Sequence, residues 1–390
     1  MSTENIAKWL ARPLKAICLA DVPELAASVG TTIGDVRPEN QDRAVVARFT
    51  SIRRPRESFV CFALCDGMGG MADGARCAEI ALSSFLFRLT HDVRQTASET
   101  VRVAASTANA EVYRQYRERG GTTLVAIVVF PGSAAAVSVG DSRIYAANTR
   151  KELKQISIDD TIAGELNKLK GVNPSRSEWD TFASQLAQFV GIGEGMEPRI
   201  YPVSADLTYL LTSDGVHGMS PDTLERIVVS GGASQVIVSR LLQVSRWCGG
   251  SDNATVICAP PLRTDWSIPP AWSSGEWLEI WDAVGKLELP MDQISVPYAR
   301  QDSRADRVEH TGTKSKRSRK RPSGIAKASE TTKKERNPDG ASVRPPSAQG
   351  SLKIEIVDEK PRDVAAGIGE SADSAAKEST SNDDHGLKRE

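Results

Sequence analysis

Five aspartates stand where strand-like runs begin or end, and that placement is the first sign of chemistry in this chain. Asp42 precedes "RAVVARF" (Arg43 to Phe49), Asp66 follows "FVCFALC" (Phe59 to Cys65), and Asp141 follows "AVSVG". Asp214 follows "TYLLTS", and Asp252, with Asn253 after it, comes just before "ATVICA". One such aspartate is ordinarily a turn former or a helix cap. Five within one domain are poorly explained as independent caps. Carboxylates that converge repel one another, and burying them is costly unless cations neutralise them. An all-oxygen donor set without Cys or clustered His favours a hard ion, Mg²⁺ or Mn²⁺.

Asp66 opens "DGMGGMADG". A carboxylate at a strand's end can be presented into a cleft. Gly67, Gly69 and Gly70 would permit positive φ and close approach of the backbone to something bound. Taken alone, the segment reads equally well as a tight turn opening the next helix.

The elements that must position these residues follow from hydrophobic pattern. Further strands are expected at "TTLVAIVVF" (Thr122 to Phe130), "AAAVSVG" (Ala134 to Gly140), "RIYAA" (Arg143 to Ala147), "TYLLTS" (Thr208 to Ser213) and "ATVICA" (Ala254 to Ala259). Helical spacing marks Ala72 to Leu89, and Ser98 to Arg119 with Ser98 as its cap. Two more helices are read in "SPDTLERIVVS" and "ASQVIVSRLLQVSRW". Strand blocks separated by helix pairs imply stacked sheets with helices outside, an α+β layering.

The chain has 390 residues, 40% hydrophobic and 25% charged, with a formal net charge of -1. That balance argues against a protein coating nucleic acid with its whole surface. No apolar run approaches the ~20 residues of a membrane-spanning helix, and no signal-peptide core is evident, so a cytoplasmic protein is expected. Six cysteines without a CxxC pair or a Cys-His cluster read as reduced, mostly buried thiols rather than a zinc site. The expected division is an N-terminal extension (1–27), a main domain (28–260), a Trp-rich segment (261–300) and a disordered, charged tail (301–390). Trp266, Trp272, Trp277 and Trp281 make the third part an apolar strap laid on the domain, or else a small docking element. The tail carries a basic cluster, Lys314 to Arg321, open to nucleic acid, acidic lipid or an acidic partner, or simply solvated. It also holds "LKIEIV" (Leu352 to Val357), a short strand-like recognition segment.

Six segments, "RPENQD", "DGMGG", "GGTT", "VGDSRIY", "LLTSDGV" and "GGSDNATV", occur in an order and rough spacing that resembles the metal-dependent type 2C protein phosphatases, the PPM family, of bacterial type. The resemblance spans about Ser28 to Ala259. It implies a central antiparallel β-sandwich flanked by helix pairs, in α-β-β-α layers, with metals in a cleft at one end. It also implies a phosphoseryl/phosphothreonyl protein phosphatase that uses two Mn²⁺ or Mg²⁺ ions and a third, weaker one. A hydroxide bridging the metals would attack phosphorus in line, without a covalent phosphoenzyme. By the same resemblance Asp66 would bridge two metals and the Gly67 carbonyl would bind one. Asp214 and Asp252 would complete the first site, and Asp42 would hold the second metal directly or through water. Asp141 would bind the third, Arg37 would grip the substrate phosphate, and Asn253 would support Asp252. The partners implied are phosphorylated proteins and a cognate kinase.

The sequence departs from the family pattern in places. Gln41 stands where many members carry glutamate, Met68 replaces a histidine proposed as general acid, and Asp160 in "SIDDTIAGEL" replaces a histidine. A variable flap is expected over about Leu166 to Gln188. The alternative reading is a pseudophosphatase that binds phosphoproteins without turnover, for which Gln41 is the main argument. A third makes the tail a localising device for a catalytic head.

Overall fold

Strand β4 (Phe59–Cys65) is buried along its whole length, and its alternating side chains enter two different cores. Phe59, Cys61, Ala63 and Cys65 pack among helices, whereas Val60, Phe62 and Leu64 pack between sheets. A run apolar on both faces is what a strand in the middle of a layered fold requires. The structure, a computed structural model, describes residues 3–14, 17–148, 152–166, 175–183, 185–204, 206–230, 232–261 and 275–291.

Two antiparallel sheets face each other. The seven-stranded sheet runs β13-β12-β3-β4-β5-β6-β9, with β3 at Arg43–Ser51, β5 at Leu124–Phe130, β6 at Ser133–Val139, β9 at Arg199–Pro202, β12 at Glu276–Asp282 and β13 at Gly285–Pro290. The six-stranded sheet runs β1-β2-β11-β10-β7-β8, with β1 at Cys18–Val22, β2 at Ala27–Thr32, β7 at Arg143–Ala147, β8 at Leu153–Gln155, β10 at Thr208–Thr212 and β11 at Ala254–Ala259. Val29, Val46, Ile127, Ile144, Leu211 and Ile257 fill the space between the sheets. Helices α2 (Gly74–His91) and α3 (Ala97–Tyr116), with α1 (Thr3–Leu10), cover the seven-stranded sheet. Helices α6 (Pro221–Ser230) and α7 (Ser234–Trp247) bury Leu224, Val238 and Leu241 against the six-stranded one. This is the α-β-β-α sandwich expected. Among the described residues no helix is long and apolar enough to cross a membrane, and all six cysteines are free thiols.

Several boundaries differ from the sequence reading. The cap of α3 is Thr96, whose hydroxyl accepts from the Glu99 N–H at 3.1 Å, while Ser98 already lies inside the helix. The supposed N-terminal extension belongs to the fold: Ile6 and Leu10 are buried in the helical core, and a boundary at residue 28 would cut β2. The described part of the Trp-rich segment is a strand hairpin rather than a strap or docking element. Trp277 and Trp281 lie on β12, which pairs with β3 in the register Trp277↔Thr50 and Trp281↔Val46. Period-two alternation sends Leu278 and Ile280 under the helices and Trp281 toward the inter-sheet core. Between them Glu279 pairs with its register partner Arg48 at 2.6 Å. Trp266 and Trp272, the tail, its basic cluster Lys314 to Arg321 and Leu352 to Val357 lie outside the described residues. A short helix, α4 (Ile162–Leu166), leads into the expected flap, whose described residues include a second, α5 (Arg176–Ala183).

Register gathers the chemistry. Arg43 faces Cys65, Leu124 faces Val139, and Thr212 faces both Arg143 and Val256. The starts of β3, β5, β7 and β11 therefore meet the ends of β4, β6 and β10 at one end of the sandwich. Each aspartate lies one or two residues beyond such an end.

Candidate metal centre and active-site cleft

At that end of the sandwich opens a cleft of about 500 Å³ whose lining includes Asp66, Asp141, Asp214, Asp252, Arg37 and Gln41. Four of the five expected carboxylates thus converge, and Arg37 is the one cation among the lining residues. Arg37 Nη2 donates to Asp252 Oδ2 at 2.5 Å, a bond that raises the guanidinium's pKa further.

The backbone around Asp66 is held by the "GGTT" element, to which the sequence reading assigned no role. Thr123 Oγ1 accepts from the Asp66 N–H at 3.0 Å, and Thr122 Oγ1 donates to the Asp66 carbonyl at 2.7 Å. Thr123 also shares a hydrogen bond of 2.7 Å with Ser142, tying the end of β4 to the Asp141 turn. Gly67 is required by space and not by backbone angle, since its φ is not positive. A Cβ there would lie 2.3 Å from the Gly74 carbonyl oxygen, where α2 begins. A Cβ at Gly69 would meet Arg37 Nη1 at 2.7 Å, so this glycine leaves room for the arginine.

Asp42 sits apart. Buried at 1% exposure, it is not among the residues lining the cleft. Its Oδ2 accepts from Ser213 Oγ at 2.8 Å and from Thr255 Oγ1 at 2.6 Å. Its Oδ1 is buried with no hydrogen-bond partner among the described residues. The carboxylate joins the residue before Asp214 to the strand after Asp252, a buttressing geometry that spacing along the chain cannot reveal. Asn253 plays a similar part: its Oδ1 accepts from the Gln41 N–H at 2.8 Å, and its Nδ2 donates to the carbonyls of Ile33 and Glu39.

Electrostatics mark the site as short of positive charge. Loss of hydration, with the charges of Asp42, Asp214, Asp141 and Asp252, raises the Asp66 pKa well above the carboxylate range. Loss of hydration and the nearby Asp252 raise Asp214, and burial lifts Asp42 to about 6. Burial, together with Asp214 and Asp159, lifts Asp141 to about 7. Among the described residues no group of three or more His, Cys, Asp or Glu side chains stands ready to hold a metal ion; Asp252 instead turns to Arg37. The donor chemistry nonetheless fits a hard divalent cation. Four aspartates line the cleft against one arginine, the oxygens belong to carboxylates and the Gly67 peptide, and a cation would relieve the repulsion that raises their pKa values.

Residues 39–228 match the family described as Protein phosphatase 2C. The chain is 31% identical over 217 residues to the serine/threonine protein phosphatase PstP of Mycobacterium tuberculosis, a match spanning 52% of this chain and 41% of PstP. With the serine/threonine phosphatase stp of Listeria welshimeri it shares 26% identity over 240 residues, 58% of this chain and 92% of that protein. The crystal structure of M. tuberculosis PstP/Ppp has a TM-score of 0.51 to this fold at 25% identity, covering 63% of this chain and all of that one. The PPM Ser-Thr phosphatase MsPP of Mycobacterium smegmatis, in complex with cacodylate, has a TM-score of 0.50 at 26% identity, over 61% of this chain and 98% of that one. The chain thus spans less than half the length of PstP, and most of the stp protein. Arg37 and Asp252 lie outside the residues matched to that family; the loop after β2 and the turn before β11 bring them to the cleft. Gln41 and Met68 line it as well. Asp160 is buried beside it, bonded to Arg199 at 2.5 Å.

Proposed function

We propose that this domain is a Mn²⁺- or Mg²⁺-dependent protein phosphatase that hydrolyses phosphoserine and phosphothreonine in proteins, opposing a Ser/Thr kinase in the cytoplasm. The observation that carries the reading is the convergence of Asp66, Asp141, Asp214 and Asp252 with Arg37 in one cleft. Two ions bound there would supply an activated water at neutral pH and positive charge to offset that on the phosphoryl group.

The chain's own residues divide the remaining work. Asp66, the Gly67 carbonyl, Asp214 and Asp252 would hold the two ions, and Asp141 would hold a third. Asp42 supports this set from behind through Ser213 and Thr255, and Asn253 orients the loop that carries Gln41. Arg37 presents a planar fork of donors suited to two phosphate oxygens, and its bond to Asp252 keeps the guanidinium at the cleft. Neither cysteine nor histidine lines the cleft, the Thr123 hydroxyl is engaged by Ser142, and the aspartates are assigned here to the ions, which leaves water as the nucleophile in this reading. Met68 supplies no proton, so the departing seryl or threonyl oxygen takes its proton from water. Gln41, the main argument for a binding module without turnover, lines the cleft beside four of the five aspartates.

Hydrolysis of a small aryl phosphate with Mn²⁺, with Mg²⁺ and with chelator, in the wild type and in Asp214→Asn, tests this reading. Metal-dependent turnover that Asp214→Asn lowers by at least about 100-fold is expected, as for removal of a group that stabilises the transition state. Turnover that survives chelation or the substitution would overturn it.

A further inference from the structure

Asp160 is a fully buried carboxylate outside the cleft lining, and its three hydrogen-bond donors come from three separate segments. Oδ2 accepts from the Gly140 N–H at 3.1 Å, immediately before Asp141, and from Gln188 Nε2 at 2.7 Å. Oδ1 accepts from Arg199 Nε, on β9, at 2.5 Å. The backbone joins in: the Asp160 N–H donates to the Gly140 carbonyl at 2.9 Å, and the Ala187 N–H donates to the Asp160 carbonyl at 2.7 Å. Its neighbour Asp159 turns the other way, accepting from Arg143 Nη2 at 2.7 Å and from Gln155 Nε2 at 2.9 Å. β6 and β9 belong to one sheet, β7 and β8 to the other. The Asp159–Asp160 pair therefore stitches the two sheets together on either side of Asp141.

Directly after this stitch the chain enters the cleft wall. Thr161 bridges to Leu186, the Ile162 N–H donates to the Gln185 carbonyl at 2.8 Å, and Ile162, Gln185 and Leu186 all line the cleft. Arg199 reaches the same region through Nη2, 3.2 Å from Glu165 of α4. A small phosphoester needs only Arg37 and the carboxylates. A phosphorylated polypeptide must also pass along the wall, where Ile162 and Leu186 offer apolar contact and Gln185 an amide.

We infer that Asp160, anchored by Arg199, is a positioning residue that holds the Ile162–Gln185–Leu186 wall against the Asp141 turn and so governs binding of the polypeptide around the phosphorylated residue. The inference rests on the phosphatase reading above. Asparagine at this position has one oxygen and one NH₂ group, so three donors cannot all be satisfied.

The test compares a phosphothreonine peptide with an aryl phosphate on the full chain, with melting temperature and peptide binding by fluorescence anisotropy measured alongside. In Asp160→Asn the peptide KM should rise at least about tenfold, the factor that one charged hydrogen bond is worth. Aryl phosphate kcat/KM should change by less than about threefold. Arg199→Ala, made on a side chain 26% exposed, should reproduce the split, and Arg199→Lys should recover most of the peptide affinity. If Asp160→Asn does not fold, the Arg199 pair decides. Equal losses on both substrates in folded variants, or an unchanged peptide KM, would overturn the inference while leaving the phosphatase reading in place. A wild type that neither hydrolyses nor binds the peptide would overturn both.

Discussion

The three glycines after Asp66 make opposite predictions from neighbouring positions in one loop. In Gly67→Ala the new methyl would meet the Gly74 oxygen at 2.3 Å, the Gly74 carbonyl carbon at 2.4 Å and the Gln41 oxygen at 2.9 Å, all of them backbone atoms. Ordinary contact is roughly 3.5–4 Å, so the peptide beside Asp66 or the first turn of α2 must move by about 1 Å. Overpacking of this kind costs about 3 kcal/mol, which for a domain of this size lowers Tm by roughly 6–12 °C. A displacement of about 1 Å at a reacting centre is worth about 100-fold in rate. Gly70→Ala meets nothing within 4 Å and has no positive φ, so it should be neutral, within about 0.5 kcal/mol. Gly69→Ala touches Arg37 Nη1 and Gln41 Oε1, both mobile ends. It should leave Tm unchanged and raise KM for the phosphoester by displacing the arginine. Thermal unfolding and aryl phosphate kinetics on the three variants suffice. If Gly67→Ala and Gly70→Ala behave alike, the claim that Gly67 is required by close backbone packing is refuted.

Two further predictions follow from burial and titration. Asp141 is lifted from its ordinary 3.8 to about 7 by burial and the charges of Asp214 and Asp159, so protons compete with a cation at this carboxylate below about pH 7. Mn²⁺ binding by calorimetry should tighten between pH 6 and pH 8 in the wild type, and less so in Asp141→Asn; without cation, a raised pKa makes the same group favour folding at low pH and lose that contribution as pH rises through about 7. Ile280 is fully buried on β12, so Ile280→Ala should cost about 2–5 kcal/mol in denaturant unfolding; a cost under about 1 kcal/mol would mean that the hairpin is not part of the folded core.

Most of the framework was legible because strands and helices with strong apolar periodicity announce themselves locally. β4 lies where "FVCFALC" put it, and β3, β5, β6, β7, β10 and β11 fall within one or two residues of their expected bounds. β12 was not legible, since "EWLEIWD" mixes tryptophan with charge and makes sense as a strand only once Arg48 stands across from Glu279. α1 and β1 were set aside as an extension, and burial of Ile6, Leu10 and Val22 in cores supplied by other elements is what orders them.

At the site, the sequence by itself determined the donor chemistry: aspartates at strand ends, glycines beside one of them, and an arginine upstream. Residue type and place along the chain are local facts, and they singled out Asp42, Asp66, Asp141, Asp214 and Asp252 with the glycines after Asp66, whereas Arg37, the Gly67 carbonyl and Asn253 were named only by resemblance to the phosphatase family. Only the tertiary structure decided what each can reach. Sheet register brought four carboxylates to one cleft and set Asp42 behind it, bound to hydroxyls 171 and 213 residues away. The same register gave Thr123, Ser213, Thr255 and Arg199 their supporting parts. Such contacts join residues whose separation in sequence carries no information about their separation in space, because pairing between strands, rather than any local preference, sets the distance.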